Sequence, residues 1–142
     1  MWRRDAAGTG VRRRWGGVMV GLVLVSHSAG LAAEAVALAK GIAGAGVPVA
    51  AAGGTEDGGL GTSVDLVEEA VRGVDQGDGV VLIPDLGSSV LTARLLEEDG
   101  HIVVADVPFV EGAIAAAVAA GADAPLADVL ASAEESRTFR KL

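Results

Sequence analysis

From residue 19 onward, short continuous apolar runs alternate with longer stretches in which apolar side chains recur at helical spacing. The short runs are residues 20–25 (VGLVLV), 47–52 (VPVAAA), 80–83 (VVLI) and 101–105 (HIVVA). The first is a continuous β-branched-rich run typical of a buried parallel strand, and the other three read as further strands. The first helical stretch is 30–43, with Leu31, Ala35, Leu38 and Ile42 on its inward face, stopped by Gly44 and Gly46. A second spans 64–74, N-capped by Thr62 or Ser63, with Leu66, Val67, Ala70, Val71 and Val74 inward. A third spans 88–98, burying Val90, Leu91, Leu95 and the aliphatic stem of Arg94. Two more follow Pro108, over 109–120 and 125–136.

Alternating strands and helices of this kind predict an α/β fold. It is doubly wound, with a mainly parallel sheet of about four strands and helices on both faces. Residues 19–136 make one domain, 1–18 a disordered extension and 137–142 a C-terminal tail. In open sheets of this type, chemistry sits beyond the carboxyl ends of the strands, where strand order reverses. That rule selects Ser26-His27-Ser28, the Gly-rich loop 53–61 and the segment 85–89.

Composition narrows the chemistry. The chain has no cysteine, which excludes a thiolate metal site, a disulfide scaffold and a cysteine nucleophile. It has two histidines, so imidazole chemistry uses His27, His101 or both. Four aromatic residues do not make a base-stacking platform for nucleic acid. The net charge of −8 is uneven: residues 1–18 carry +4 and the remainder −12. The acidic body repels polyanions and favours a partner with a basic face. No segment has the length and apolarity of a membrane span, and the protein is expected in the cytoplasm. The Arg-rich opening has the outline of a short signal peptide, but cleavage there would remove His27 and the first strand. A basic tail that touches membrane or nucleic acid is a second reading, and a natural start at Met19 is the favoured one.

His27 leaves a buried strand just before a helix begins, so it stands at a rigid corner facing the cleft. Helix-start N–H groups there favour an anion such as a phosphoryl group. Asp85 occupies the equivalent corner after the third run. If the two strands are neighbours, its carboxylate fixes one ring nitrogen of His27 and leaves the other as a nucleophile. Ser28, Gly87, Ser88 and Ser89 are candidate donors to the phosphoryl oxygens. Arg94 is the nearest cation by sequence. His101 reads as a solvated structural residue. The 53–61 loop lacks the GxxxxGK[ST] spacing and any Lys, and is expected to be a mobile loop over the site. No metal cluster is expected.

The ordered set VGLVLVSHSAGLAAEAVALA, Ala51-Ala52-Gly53-Gly54, Gly61-Thr62, Pro84-Asp85-Leu86-Gly87-Ser88-Ser89 and Val107-Pro108-Phe109-Val110-Glu111-Gly112 resembles the mannose-type EIIA family. Within it, the match is to the phosphocarrier subunits of phosphoenolpyruvate-dependent dihydroxyacetone kinase, and it covers about residues 19–135. The resemblance implies that His27 is the phosphorylated residue and Asp85 the aspartate beside it. It implies a phosphotransferase activity in which the group arrives from HPr. The group then leaves for ADP bound on the nucleotide-binding kinase subunit, so no cofactor is bound directly. It also implies a homodimer and a start near Met19. Fused HPr-like and enzyme I-like domains occur in some members; this sequence holds neither, so those proteins are expected to come as separate chains. Alternatives are a mannose-type EIIA component of a sugar transporter, a regulatory module and a small tetrapyrrole chelatase-like protein. The chelatase needs a second metal ligand converging on His27.

Overall fold

The computed structural model describes residues 18–142, together with the backbones of Trp2–Arg4 (β1) and Val11–Arg13 (β2). These two short strands pair antiparallel, a ladder for which the apolar pattern gives no signal. The other expectations for the opening extension lie outside the described residues.

The body runs β3 (Gly21–Ser26), α1 (Ala29–Ala43), β4 (Val49–Gly53), α2 (Val64–Val74), β5 (Val80–Pro84), α3 (Gly87–Arg94), β6 (Ile102–Val104), α4 (Phe109–Gly121) and α5 (Leu126–Glu135). A 3-10 turn at Ser136–Thr138 follows, so the boundary expected after residue 136 falls inside it. The strands form one parallel sheet in the order β4-β3-β5-β6. Chain order runs from β3 outward to β4, then crosses to β5 on the other side. The reversal therefore lies between β3 and β5.

Both faces of the sheet are covered, as continuous apolar strands require. Leu22 and Leu24 of β3, with Val81 and Ile83 of β5, pack under α1, α4 and α5. Val23, Val25, Val80 and Leu82 point the opposite way, toward α2 and α3. This alternation follows from the two-residue period of a strand. Ser28 caps α1 by accepting from Leu31 N–H at 3.1 Å, and Ser63 caps α2 through Leu66 N–H at 3.3 Å. Among the described residues no helix is long and apolar enough to cross a membrane.

Two helices bury only part of the face that the pattern predicts: Ala35 of α1 is buried and Val90 of α3 half-buried as expected, but the larger side chains are not. In α1 the buried residues are Ala32, Ala35 and Ala39, while Leu31, Leu38 and Ile42 are exposed. The small side chains bring α1 onto α4, whose buried face is Gly112, Ala113, Ala116, Ala117 and Ala120. Large side chains there would hold the two helices apart. α3 ends at Arg94 rather than residue 98, because the chain must reverse into β6. Glu98 and Ile102 pair across that turn, and Gly100 takes φ +72°. Its buried residues are Ser89 and Ala93, leaving Leu91 and Leu95 in solvent. Arg94 is also exposed and its Nε reaches Glu97 at 3.4 Å, so its stem is not core.

Candidate functional site

The parallel pairing of β3 with β5 carries the site. Val25 lies opposite Pro84, and the next register step brings Asp85 N–H to Val25 C=O at 2.9 Å. His27 and Asp85 therefore leave adjacent strands side by side, at the reversal of strand order. His27 Nδ1 lies 2.9 Å from Asp85 Oδ1, and its Nε2 lies 2.5 Å from Ser88 Oγ. The His27 side chain retains 28% of its exposure and Asp85 only 8%. One member of the pair is partly open to solvent and the other is enclosed.

Asp85 is surrounded by donors. Oδ1 accepts from His27 Nδ1–H, from Leu86 N–H at 2.7 Å and from Ser89 Oγ at 2.8 Å. Oδ2 accepts from Ser26 Oγ at 2.8 Å and from His27 N–H at 3.1 Å. Burial pushes the carboxyl pKa up, but the hydrogen bonds from Ser89, Ser26 and the His27 ring and backbone outweigh it and hold the group at about 2. Asp85 is thus a carboxylate at neutral pH, an acceptor only, and the proton of the shared bond sits on Nδ1. That fixes the neutral imidazole as the tautomer with a lone pair on Nε2, to which Ser88 Oγ–H donates.

The four residues expected to bind the phosphoryl group divide. Ser88 stands at Nε2. Gly87 opens α3, where the first N–H groups of a helix have no partner within the helix and the dipole favours negative charge. Ser89 is fully buried and serves Asp85 and Leu86 N–H instead. The Ser28 hydroxyl is committed to the α1 cap, and its N–H donates to Ser26 Oγ at 3.0 Å. Ser26 lies in the segment that the strand-end rule selects, but the sequence assigns it no role; it is fully buried and touches both Asp85 and the His27 turn. A signal was present: it is a polar residue closing a buried apolar strand.

The loop after β4 is tied down at both ends. Gly54 N–H donates to Ser26 C=O and Gly61 N–H to His27 C=O, each at 3.0 Å. Thr55 and Gly59 pair within the loop, and Thr62 meets Thr92 of α3 at 2.9 Å. Gly53 admits the close approach on which this depends. A Cβ there would stand 2.5 Å from Ser28 C=O and 2.8 Å from Ala29 Cα.

His101 lies elsewhere, at the amino end of β6. Its Nε2 is 2.8 Å from Asp75 Oδ2, at the C-cap of α2. It is a partnered structural residue rather than a merely solvated one. It does not converge with His27 as the chelatase alternative requires. Among the described residues no group of three or more His, Cys, Asp or Glu is arranged to hold a metal ion.

Residues 21–130 match the family described as the PTS system fructose IIA component, EIIA-man. The chain is 39% identical over 99 residues to the phosphoryl donor subunit DhaM of PEP-dependent dihydroxyacetone kinase 1 from Listeria innocua serovar 6a. That alignment covers 68% of this chain and 78% of the relative. It is 35% identical over 98 residues to the phosphotransferase subunit DhaM of the PTS-dependent dihydroxyacetone kinase from Lactococcus lactis subsp. lactis, with the same coverage. A DhaM phosphoryl donor subunit from Pantoea ananatis is 36% identical over 79% of this chain, which spans 26% of that longer protein. A solved structure of a protein of unknown function superposes with a TM-score of 0.74 at 28% identity, covering 88% of this chain and 99% of that one. A sigma-54 interaction domain protein from Enterococcus faecalis, at 18% identity and a TM-score of 0.65, shares the fold.

Proposed function

The chain belongs to the EIIA-man family, and from that premise we propose that it is a phosphohistidine carrier. In this reading His27 takes a phosphoryl group from HPr and delivers it to ADP held on the nucleotide-binding subunit of a dihydroxyacetone kinase. The chain is then the phosphocarrier subunit of a phosphoenolpyruvate–glycerone phosphotransferase, working in the cytoplasm and binding no cofactor of its own. One observation carries the reading. At the switch point of the sheet, a buried carboxylate holds His27 Nδ1–H and turns Nε2 outward.

The chemistry follows from that geometry. The Nε2 lone pair forms the new bond to phosphorus as the donor's P–N bond breaks, and the donor imidazole keeps the electron pair. Nδ1–H stays on the ring, and the positive charge that develops there faces the Asp85 carboxylate. Ser88 Oγ–H, which donates to Nε2 at rest, turns to a phosphoryl oxygen once the lone pair is used. The first N–H groups of α3 at Gly87 and Ser88 complete the electrostatic support. Onward transfer reverses these steps, with a β-phosphate oxygen of ADP as the attacking atom.

The test is intact-mass spectrometry at neutral to alkaline pH after incubation with phosphoenolpyruvate, enzyme I and HPr. Wild type is expected to gain one acid-labile phosphoryl group and His27→Ala none. No added mass on wild type while HPr is charged would reject the carrier reading. The family description favours a second reading, a IIA component that serves a sugar transporter. A charged chain that fails to discharge to the kinase subunit with ADP would support that reading over the first.

A further inference from the structure

α3 exposes more apolar side chain than it buries. Leu86 at its N-cap is 67% exposed, Leu91 68% and Leu95 73%. Leu91 and Leu95 stand three and seven residues beyond Ser88, on the helix face that Ser88 opens. That face begins at the hydroxyl bonded to His27 Nε2 and runs away from it for about 10 Å at the rise of an α-helix. A groove of about 500 Å³ between α2 and the end of α3 flanks its far end, with Leu95 and Leu96 among its walls. Around it are the carboxylates Glu68, Asp75, Glu97 and Glu98. Arg72 and Arg94 are the nearby cations, and each is already paired with one of them, Arg72 to Glu68 and Arg94 to Glu97.

We propose that the Ser88–Leu91–Leu95 face of α3, headed by Leu86, is the docking surface for the proteins that exchange a phosphoryl group with His27. It takes an apolar ridge flanked by lysine or arginine. The proposal rests on the carrier reading and adds where the partner sits. Three features select this occupant. The face is continuous with the reacting nitrogen, so a protein seated on it brings its own phosphoryl-bearing atom to Nε2. Its apolar centre with a charged rim has the anatomy of a transient protein interface. The rim's excess of carboxylate complements a basic partner and opposes a second copy of this acidic chain. Donor and acceptor must both reach one nitrogen beside one face, so they use it in turn and exclude each other.

The test uses Leu91→Lys and Leu95→Lys, singly and together, since exposed positions tolerate lysine without loss of the fold. Phosphorylation of His27 is measured with charged HPr at subsaturating concentration and, separately, with the small reagent phosphoramidate. The double variant is expected to lose tenfold or more of its transfer rate from HPr, about the effect of losing one interface anchor. Its labelling by phosphoramidate stays within about twofold of wild type, because that reagent needs no docking surface. Wild-type transfer from HPr in the double variant would overturn the proposal. Equal loss with both reagents would also overturn it, by placing the effect on the His27 chemistry. A change of sedimentation from dimer to monomer would assign the face to a second copy instead. Wild type that accepts nothing from either reagent refutes the carrier reading itself, and so is distinct from a failure of docking.

Discussion

At the scale of single residues, the site is organised around Asp85 more than around His27. Two buried hydroxyls, Ser26 and Ser89, bond its two oxygens, and the ring of His27 takes the remaining exposed direction. The carboxyl pKa is depressed from 3.8 to about 2 by these bonds working against burial. A depressed acid stabilises the fold fully above its unfolded pKa and ceases to do so as pH falls through the folded one. The contribution, about 2 kcal/mol, is therefore complete above roughly pH 5 and fades between about pH 4 and pH 2. Urea unfolding of wild type against Asp85→Asn should show a stability gap that is widest near neutrality and narrows toward pH 2. Ser26→Ala and Ser89→Ala should shift the acid limb of wild type to higher pH. A gap independent of pH would mean that Asp85 is not held ionised. His27 and Asp85 were legible because each directly follows a strand, where side-chain placement follows from backbone register. The division of labour among the serines was not legible. Whether Ser89 faces the cleft or the interior depends on a rotation of α3 that sequence spacing leaves open.

At the scale of elements, the order of strands and helices is readable to within a few residues, whereas helix orientation is readable only in α2. There the polar and apolar faces differ sharply, and Val67, Val71 and Val74 are buried as the pattern predicts. In α1 nearly every residue is apolar, so period alone cannot choose a face. The largest side chains suggest Leu31, Leu38 and Ile42, while packing selects Ala32, Ala35 and Ala39. Backbone proximity decides again where β4 ends. Gly53 passes so close to the start of α1 that a methyl group would displace Ser28 or Ala29, the residues that follow His27. Gly53→Ala is expected to cost about 2 kcal/mol or more in chemical denaturation, as overpacking does. It should also slow phosphoryl acceptance, because the adjustment falls on the turn that positions the ring. A variant with wild-type stability and rate would show that the turn yields without cost.

At the scale of the whole molecule, chemistry occupies the middle of the sheet, and exposed apolar stripes lie on α1 and α3. The outward stripe of α1, Leu31, Leu38 and Ile42, is separate from the α3 face. The resemblance implies a homodimer, and the expectation to test is that this stripe is its contact. Leu38→Glu with Ile42→Glu should then sediment as a monomer at concentrations where wild type is a dimer, with phosphoramidate labelling of His27 retained. A dimer that persists in the double variant would place the contact elsewhere. The two histidines lie at opposite ends of the sheet, and each is held by a carboxylate of lowered pKa through a different ring nitrogen, Nδ1 in His27 and Nε2 in His101. In their neutral forms they are opposite tautomers. In long-range proton–nitrogen magnetic resonance spectra the protein therefore carries its own reference: two imidazole cross-peak patterns, one of each kind, of which only the His27 pattern should change when the chain is charged.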